Sequence, residues 1–401
     1  MLSFFRQNIE LIFFCVIIYM NKFCKQKMNG SVRQYSSFFF EKEKIVKKIL
    51  VGICGIGNGH ISRQSCIIKE LQKREAQIVI ATTKDKVHVM EKRFPDIKVV
   101  EINIPWIFCN DKGVDYVKTL EKYKENKNDQ FLSFLNFAVQ IEKIFNGKPD
   151  LVISDYEPNV AKYSYSTSTP LICMEQQAKF IYLSNKGILD YSQREEMDRL
   201  NYFFPKFDLR IISSFFPMNI KKSNVVVTPP IISELEEREG EKNIGLVYFS
   251  PYSSSEKYTK VLYLLSRVEN LKFIIYTNLD FPEFNRFKNL TFKEFGSTFK
   301  EDLCCAKFLI TTSGHQLMSE ALALNIPLYT FPLDTYEQHY NCSMIEKYRL
   351  GKMAKNMTEE EFSRFYKNIE KYKNNIVSFK EKYYKKSWKD IFNELLDKIF
   401  N

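Results

Sequence analysis

The first residues that could do chemistry lie in a glycine-rich turn that ends in a histidine. The turn covers 52–60 (GICGIGNGH) and joins an apolar, β-type run to a helix that begins near Ser62. Glycines such as Gly57 and Gly59 let the backbone approach a ligand closely, and the free N–H groups at the start of the helix favour an anion or an oxygen-rich partner. His60 stands at the mouth of the turn, where its imidazole could take a proton from an acceptor hydroxyl at neutral pH. The alternative is a histidine that only caps or packs.

The spacing of these glycines argues against a dinucleotide cofactor. That fingerprint reads GxGxxG, and after Gly55 and Gly57 the third glycine is replaced by His60. We therefore expect no cofactor and no oxidoreductase chemistry. Arg63, on the same predicted helix, could equally form a surface ion pair, so no role is assigned to it.

A carboxylate follows the end of another apolar run. Asp155 comes directly after Leu151–Ser154. Since the carboxyl ends of parallel strands meet at one edge of a sheet, Asp155 faces the same crevice as His60, where it could orient the imidazole or bind a hydroxyl. Alternatively, Asp155 is the N-cap of a helix whose first turn contains Pro158.

The second half of the chain contains a hydroxyl-rich turn from a strand to a helix, 311–320 (TTSGHQLMSE). Hydroxyls and free helix N–H groups there form a cradle for a diphosphate, built from Thr312, Ser313, Gly314, His315 and Gln316. Glu320 lies four residues after Gln316 on the same helix face, where a carboxylate can accept both hydroxyls of a ribose. The alternative is a helix capped by Thr312 or Ser313, with Glu320 exposed.

The next turn, 331–341 (FPLDTYEQHYN), adds polar side chains at the same edge. Its helix has an apolar stripe, which leaves Glu337 and Gln338 for a polar ligand such as a sugar. Asp334 and Glu337 also fit a capping box, so part of this acidity could only start the helix. The sequence contains no D-x-D motif. We therefore expect no metal, and a diphosphate leaving group stabilised by helix N-termini and hydroxyls.

Alternating β-type and amphipathic segments must position these turns. They predict an α/β fold with two open parallel sheets that face a central cleft. The predicted strands are Ile49–Cys54, Gln77–Thr82, Lys98–Ile102, Leu151–Ser154, Leu171–Cys173, Leu209–Ser213, Ile244–Ser250, Lys272–Thr277, Phe308–Thr311 and Leu328–Phe331. The predicted helices include Arg63–Arg74, Phe131–Phe145, Glu256–Arg267, Gly314–Leu324 and Tyr336–Tyr348.

We divide the 401 residues into four parts. An apolar and basic extension covers 1–46, an acceptor-side domain 47–222, a nucleotide-sugar domain 223–375, and a basic amphipathic helix 376–401. The two domains separate near 221–233, because Pro229 and Pro230 stop any regular element there.

The charge distribution bears on partners. The net charge is +11, of which +6 lies in residues 1–50 and +4 in residues 366–401, leaving +1 for the body. A nucleic-acid groove needs cations on the folded body, so we expect no nucleic acid and instead an anionic membrane surface. Nine cysteines without CxxC spacing argue against disulfides and favour a reducing cytosol. The apolar run 11–20 is too short to span a bilayer; it is either a peripheral anchor or an upstream extension of a chain that starts at Met20 or Met28.

Together these segments resemble GT-B glycosyltransferases over about 47–375. The pattern SGHQLMSEAL, then Pro327, then FPLDTYEQHYN is similar to the nucleotide-sugar site of family 28 enzymes, such as the lipid-linked GlcNAc transferase of peptidoglycan synthesis. The pair GIGNGHISR and PDLVISDYEP is similar to a group of poorly characterised bacterial and archaeal glycosyltransferases.

The resemblance implies an inverting transfer from a nucleotide diphosphate sugar, with His60 as the base. It assigns the donor to the second domain: the ribose to Glu320, the diphosphate to Ser313 and Gly314, the sugar hydroxyls to Glu337 and Gln338, and a flank of the base to Phe299. Two departures stand out. Thr312 replaces a histidine or arginine, which removes a cation from the phosphate, and hydroxyls such as Ser253 replace a glycine-rich start of the second domain.

These observations lead to one functional expectation. The chain is expected to be a cytoplasmic, membrane-associated, metal-independent glycosyltransferase that takes a UDP-sugar and serves cell-envelope polysaccharide synthesis. The basic ends favour a lipid-linked acceptor. Two alternatives stay open: a nucleotide-sugar 2-epimerase of the same fold, and a non-catalytic subunit that binds a nucleotide sugar.

Overall fold

The fold is taken from a computed structural model. It describes residues 46–103, 109–110, 113–115, 117–118, 120–121, 130–183, 191–235, 243–250, 255–296, 298–333, 335–354 and 358–400. Ser253 and Asp334, and the apolar run 11–20, lie outside these ranges.

The first domain is a seven-stranded parallel sheet covered by helices on both faces. Its strands are β1 (Lys48–Ile53), β2 (Gln77–Thr82), β3 (Lys98–Glu101), β6 (Leu151–Asp155), β7 (Leu171–Cys173), β8 (Leu209–Ser213) and β9 (Val225–Thr228), in the order β3-β2-β1-β6-β7-β8-β9. A short antiparallel pair, β4 (Cys109–Asn110) and β5 (Gly113–Val114), lies outside the sheet. The helices are α1 (Gly59–Lys73), α2 (Lys84–Arg93), α3 (Gln130–Phe145), α4 (Pro158–Thr167), α5 (Lys179–Tyr182) and α6 (Tyr191–Phe203).

Alternation along the central strand explains why both faces are covered. Ile49, Val51 and Ile53 of β1 pack in one apolar cluster with α1, whereas Leu50 packs in another with α3 and α4. A strand buried on both faces is what a doubly wound sheet requires.

The second domain repeats this arrangement with six parallel strands. They are β10 (Ile244–Tyr248), β11 (Lys272–Tyr276), β12 (Leu290–Lys293), β13 (Ala306–Thr311), β14 (Leu328–Thr330) and β15 (Gly351–Met353), in the order β12-β11-β10-β13-β14-β15. The helices are α7 (Ser255–Ser266), α8 (Phe299–Cys304), α9 (His315–Ala323), α10 (Tyr336–Lys347), α11 (Glu359–Lys367) and α12 (Ile369–Tyr383). A last helix, α13 (Trp388–Phe400), follows them in the chain and packs on the first domain. The predicted fold class of two parallel-sheet α/β domains is confirmed.

In each sheet the strand order reverses next to the first strand of its domain. In the first sheet β1 lies between β2 and β6, and in the second β10 lies between β11 and β13. Because the loops after neighbouring strands diverge at such a point, a crevice opens at the carboxyl edge of the sheet. The two crevices hold the turns singled out from the sequence.

The domain boundaries differ from the predicted ones. Strand β9 pairs with β8, so 223–228 belong to the first sheet and not to the second domain. The boundary at 375 falls inside α12, whose Ile376 and Phe379 pack within the second domain. The chain returns to the first domain only with α13.

Helix α13 uses its apolar stripe inside the protein. Trp388, Phe392 and Leu396 are spaced four residues apart and pack in the cluster that contains Ile49 and Ile67 of the first domain. Arg74 of α1 also donates hydrogen bonds to Asn393 and Asp397. The apolar face of the predicted amphipathic helix is therefore covered by protein. Among the described residues, no helix combines the length and apolar composition needed to cross a bilayer.

We expect Phe392→Ala to destabilise the first domain by about 3–5 kcal/mol, because it leaves a cavity between α13 and the sheet. The measurement is the urea midpoint of unfolding, with Lys398→Ala on the exposed face of the same helix as the control. A wild-type midpoint for Phe392→Ala would show that α13 does not stabilise the domain.

Candidate active site

The two crevices face each other across one cleft with a volume of about 440 Å³. Both domains line it. Most of the predicted site residues are among the lining residues: Gly59, His60, Phe299, Thr312, Gly314, His315, Gln316, Glu320, Glu337 and Gln338. Asp155 lies directly behind His60, and the side chain of Ser313 points elsewhere, as described below.

The glycine-rich turn brings α1 to the cleft one turn earlier than predicted. The helix begins at Gly59, not near Ser62, and its N-cap Asn58 makes no capping hydrogen bond with its side chain. Gly57 has a φ of 73°, which favours glycine. A Cβ atom on Gly59 would lie 3.3 Å from Cβ of Gln316 on α9, so a glycine here permits the two helices to approach closely across the cleft. His60 is thereby placed in the first turn of α1.

His60 and Asp155 form a hydrogen-bonded pair at the edge of the cleft. The distance from His60 Nδ1 to Asp155 Oδ1 is 2.8 Å, and His60 is 8% exposed. A carboxylate oxygen only accepts, so the proton must be on Nδ1 and the other ring nitrogen, Nε2, can accept a proton. The alternative of a histidine that only packs is therefore disfavoured.

The Asp155 carboxylate is fully buried and saturated with donors. Arg63 donates from Nε to Oδ2 at 2.9 Å and from Nη2 to Oδ1 at 2.6 Å, and Gln64 donates to Oδ2 at 3.0 Å. Burial raises the pKa of Asp155, but Arg63 and His60 outweigh it and lower the pKa to about 2. Asp155 is therefore an anion at neutral pH.

Two alternatives for these residues are wrong. The N-cap of α4 is Glu157, which accepts from the backbone N–H groups of Asn159 and Val160, so Asp155 has no capping role. Pro158 at the first helical position was the signal, because it puts the N-cap one residue before it. Arg63 is only 1% exposed and is not a surface ion pair. Its position three residues after His60, on one helix face, could have indicated this.

On the opposite wall, α9 points its N-terminus at the cleft. Its N-cap Gly314 is exposed and carries no side chain to cap the helix. His315 is buried, and its Nε2 accepts from the backbone N–H of Phe215 in the first domain at 3.3 Å. Burial first, then Lys179 and Arg63, lower its pKa well below 6.5, so the ring is neutral and carries its proton on Nδ1. That N–H is buried and has no hydrogen-bond partner among the described residues.

The side chains of Ser313 and Gln338 both make contacts inside the second domain. The Ser313 hydroxyl lies 2.6 Å from Sγ of Cys342, inside the second domain, so it does not face a diphosphate. Gln338 Oε1 accepts from the backbone N–H groups of Ser313 and Leu333 and so joins the two turns. Only the amide NH₂ of Gln338 remains for a ligand.

Glu320 and Glu337 are both held by amide side chains. Gln316 donates to Glu320 at 3.1 Å, and burial raises the pKa of Glu320. Gln176 of the first domain donates to Glu337 at 2.8 Å. The N-cap of α10 is Thr335, and Asp334 of the predicted capping box lies outside the described residues. Glu337 therefore bridges the domains.

A buried ammonium lies beside this bridge. Nζ of Lys179 is 4.0 Å from Glu337 and donates to Gln176 at 3.0 Å and Asn341 at 3.4 Å. Burial lowers the pKa of Lys179 to about 8, although Glu337 acts in the opposite direction. Sequence reasoning missed this residue, because a lysine at the start of a short helix gives no sign that the second domain will cover it.

An aromatic cluster closes the far end of the cleft. Phe299 is almost fully buried, and the ring of Phe295, 41% exposed, lies 4.7 Å from it between centroids. Tyr248 lies 5.9 Å from Phe299. The exposed ring of this cluster is therefore Phe295, which was not predicted, and Phe299 packs against it.

Comparisons with known proteins address the family and the fold. The model of the family described as Glycosyl transferase family 1 matches residues 47–370. A UDP-glucosyltransferase from Polygonum tinctorium capable of glucosylating indoxyl is 12% identical, with a TM-score of 0.65 and coverage of 88% of this chain and 98% of that one. The spinosyn forosaminyltransferase is 12% identical, with a TM-score of 0.63 and coverage of 89% and 100%. A search of curated protein sequences gave no match. At these identities the structural likeness shows the GT-B fold alone.

The pKa of Asp155 leads to a prediction on pH. Its folded-state pKa of about 2 is below the ordinary 3.8, so ionised Asp155 stabilises the fold fully above 3.8, and this contribution is lost as the pH falls through about 2. We expect Asp155→Asn to lose about 3–5 kcal/mol at neutral pH, because Arg63 is left buried without its partner. Stability should then depend less on pH in the acidic window.

Urea unfolding at a series of pH values measures this effect. Asp198→Asn, at an exposed position on α6, is the matched control. If Asp155→Asn keeps the wild-type stability at neutral pH, the buried pair does not stabilise the fold.

Proposed function

Because the chain belongs to glycosyl transferase family 1, we propose that it transfers a sugar from a UDP-sugar to an acceptor hydroxyl with inversion at the anomeric carbon. That it is a glycosyltransferase with a nucleotide-sugar donor and an acceptor follows from the family. The donor base, the stereochemistry and the acceptor class are the proposal.

One observation carries the mechanism: His60 of the first domain and the N-terminus of α9 line the same cleft. In the proposed step, the acceptor O–H bond breaks and its proton goes to His60 Nε2. The acceptor oxygen forms a bond to the anomeric carbon, and the bond from that carbon to the diphosphate oxygen breaks, with the electron pair leaving on the diphosphate. A base on one wall and a leaving-group site on the other favour in-line displacement, which inverts the configuration.

Asp155 supports the base during this step. Its carboxylate accepts a hydrogen bond from the Nδ1–H of His60 and stays ionised, so it stabilises the imidazolium that forms. The departing diphosphate would meet the free N–H groups of α9, the Nδ1–H of His315 and the hydroxyl of Thr312. Preorganised donors of this kind stabilise developing charge without a metal ion. We propose that no cofactor takes part.

The donor would lie along the second domain. Glu320, with its carboxylate at the cleft, would accept the ribose hydroxyls, and Phe295 would offer its face to the base. Glu337 and the NH₂ group of Gln338 would contact the sugar.

A lipid-linked acceptor and an anionic membrane surface at the inner face of the membrane are further proposals. The likeness of 313–341 to the family 28 site supports them, and so does the net charge of +6 in residues 1–50. The apolar face of α13 does not, because it packs on the first domain.

The first test is donor binding by thermal shift across a panel of nucleotides and nucleotide sugars. A ligand at about 100 times its Kd should add about 2.7 kcal/mol of stability. We expect UDP and a UDP-sugar to raise Tm in the wild type and Glu320→Ala to lose the shift. No shift with any nucleotide would overturn the proposal.

Turnover tests the base. We expect His60→Ala to lower kcat by about 10²- to 10⁴-fold while donor binding is retained, because the general base is removed. His88→Ala, at an exposed site on α2, is the control. Release of an epimerised free sugar nucleotide without acceptor would favour the epimerase. Donor binding without turnover, in both the wild type and His60→Ala, would favour the non-catalytic subunit.

A further inference from the structure

Arg63 contacts both His60 and Asp155, and the proposed reaction assigns it no part. Its guanidinium is buried at the edge of the cleft and donates hydrogen bonds to Asp155 from two nitrogens, Nε and Nη2. Such a bidentate pair fixes a carboxylate in one orientation, which a single ammonium cannot do. The third nitrogen, Nη1, has no hydrogen-bond partner among the described residues.

The bidentate contact with Arg63 determines which carboxylate oxygen of Asp155 faces His60. Oδ2 of Asp155 accepts from Arg63 and Gln64, so it is occupied, whereas Oδ1 is shared by Arg63 Nη2 and His60 Nδ1. Nη2 also lies 3.1 Å from His60 Nδ1. Since both of these nitrogens carry protons directed at Oδ1, the contact between them is one of two donors that share an acceptor. The imidazole therefore has one favoured tautomer and one orientation.

Arg63 also determines the net charge of the cluster that it forms with Asp155 and His60. With Arg63 positive and Asp155 negative, the cluster is neutral while His60 is neutral. Once His60 accepts the proton of the acceptor hydroxyl, the cluster carries one net positive charge. A pair of His60 and Asp155 alone would instead reach zero.

This positive charge forms opposite the diphosphate turn of the second domain, whose side chains Thr312 and His315 carry no charge. Thr312 stands at the start of the diphosphate turn and has no charge, and His315 beside it is neutral. The effect of Arg63 on the pKa of His315 indicates that its charge is felt at the N-terminus of α9. A positive charge that forms on the base side as the diphosphate departs is therefore favourable.

We propose that Arg63 is a positioning residue of the transfer reaction. It holds Asp155 in the orientation that accepts a hydrogen bond from the Nδ1–H of His60, and it makes the cluster cationic when the leaving group becomes charged. This inference rests on the proposed function, in which His60 is the base. It adds a third member to the pair, acting through Asp155 and not through contact with the acceptor.

Two substitutions separate geometry from charge. Arg63→Lys keeps the charge and loses the fork, and Arg63→Gln loses both. We expect kcat to fall about 10²-fold in Arg63→Gln and by less in Arg63→Lys, because displacement of a catalytic group by about 1 Å has an effect of this size. The donor KM should change less than threefold, because the effect arises in the transition state. Arg74→Gln, directly after the end of the same helix and away from the cleft, is the control and should keep wild-type kcat.

Nitrogen NMR of the histidine side chains gives a readout that a merely structural role would not move. The chain has four histidines, so comparison with His60→Ala assigns the His60 signals. We expect the Nδ1-protonated form in the wild type and a mixture of tautomers in Arg63→Gln. An unchanged His60 tautomer in a folded Arg63→Gln protein would overturn the inference.

A double substitution tests whether Arg63 acts through Asp155. In an Asp155→Asn background, Arg63→Gln should lower kcat by less than threefold, and the double variant should be more stable than Asp155→Asn because no unpaired charge stays buried. If Arg63→Gln itself does not fold, the double variant and Arg63→Lys still decide the matter. An equal loss of kcat in both backgrounds would contradict the inference.

The same assays separate this inference from the proposed function. If His60→Ala keeps wild-type kcat, the proposed function fails whatever Arg63 does. If His60→Ala loses turnover while both Arg63 variants keep it, only the role of Arg63 fails.

Discussion

The burial of one carboxylate constrains the first wall of the cleft. A charge in a protein interior costs several kcal/mol unless partners compensate it, and Asp155 is fully buried. Its compensating donors, His60, Arg63 and Gln64, all come from the first turns of α1 and share one helix face. Helix α1 must therefore begin at Gly59 and lie over the end of β6. Any later start would remove His60 from the helix and leave the carboxylate short of a donor.

That constraint extends to the second domain. With α1 fixed over β6, Gly59 lies against Gln316, and so the N-termini of α1 and α9 meet across the cleft. The two walls then differ in kind. The first wall carries charges that compensate each other, whereas the second presents a helix N-terminus and a neutral histidine. In the proposed reaction the base on the first wall gains a positive charge and the leaving group at the second wall gains a negative one, and this division of charges suits both.

The sequence predicted the sheets well where strands are long and buried. All ten predicted strands exist, because runs such as Ile49–Ile53 and Leu151–Ser154 are continuous and apolar. In the two large sheets, the strands β9, β12 and β15 were missed. Each has three or four residues at or near a sheet edge, where neighbouring strands and not local composition decide pairing. The prolines after β9 also suggested a linker.

The site was predictable as a set of turns but not as a set of contacts. Glycine and hydroxyl signals located both crevices, and His60 and Asp155 do meet. Side-chain direction was beyond reach: Ser313 could have faced either the cleft or the core, and only the fold places Cys342 behind it. Which of the carboxylates Asp155 and Glu157 caps α4 depended on a difference of two positions in the chain.

Residues of both domains build the site that is proposed to bind the donor. Gln176 and Lys179 of the first domain hold Glu337, the residue proposed to contact the sugar, and the backbone of Phe215 holds His315. Helix α13, which follows the second domain in the chain, packs on the first domain. The second domain thus supplies the residues proposed to bind the donor, and contacts from the first domain orient Glu337 and His315. In the proposed reaction, donor binding and access to His60 are then coupled, because the interface that orients these two residues also brings α1 against α9.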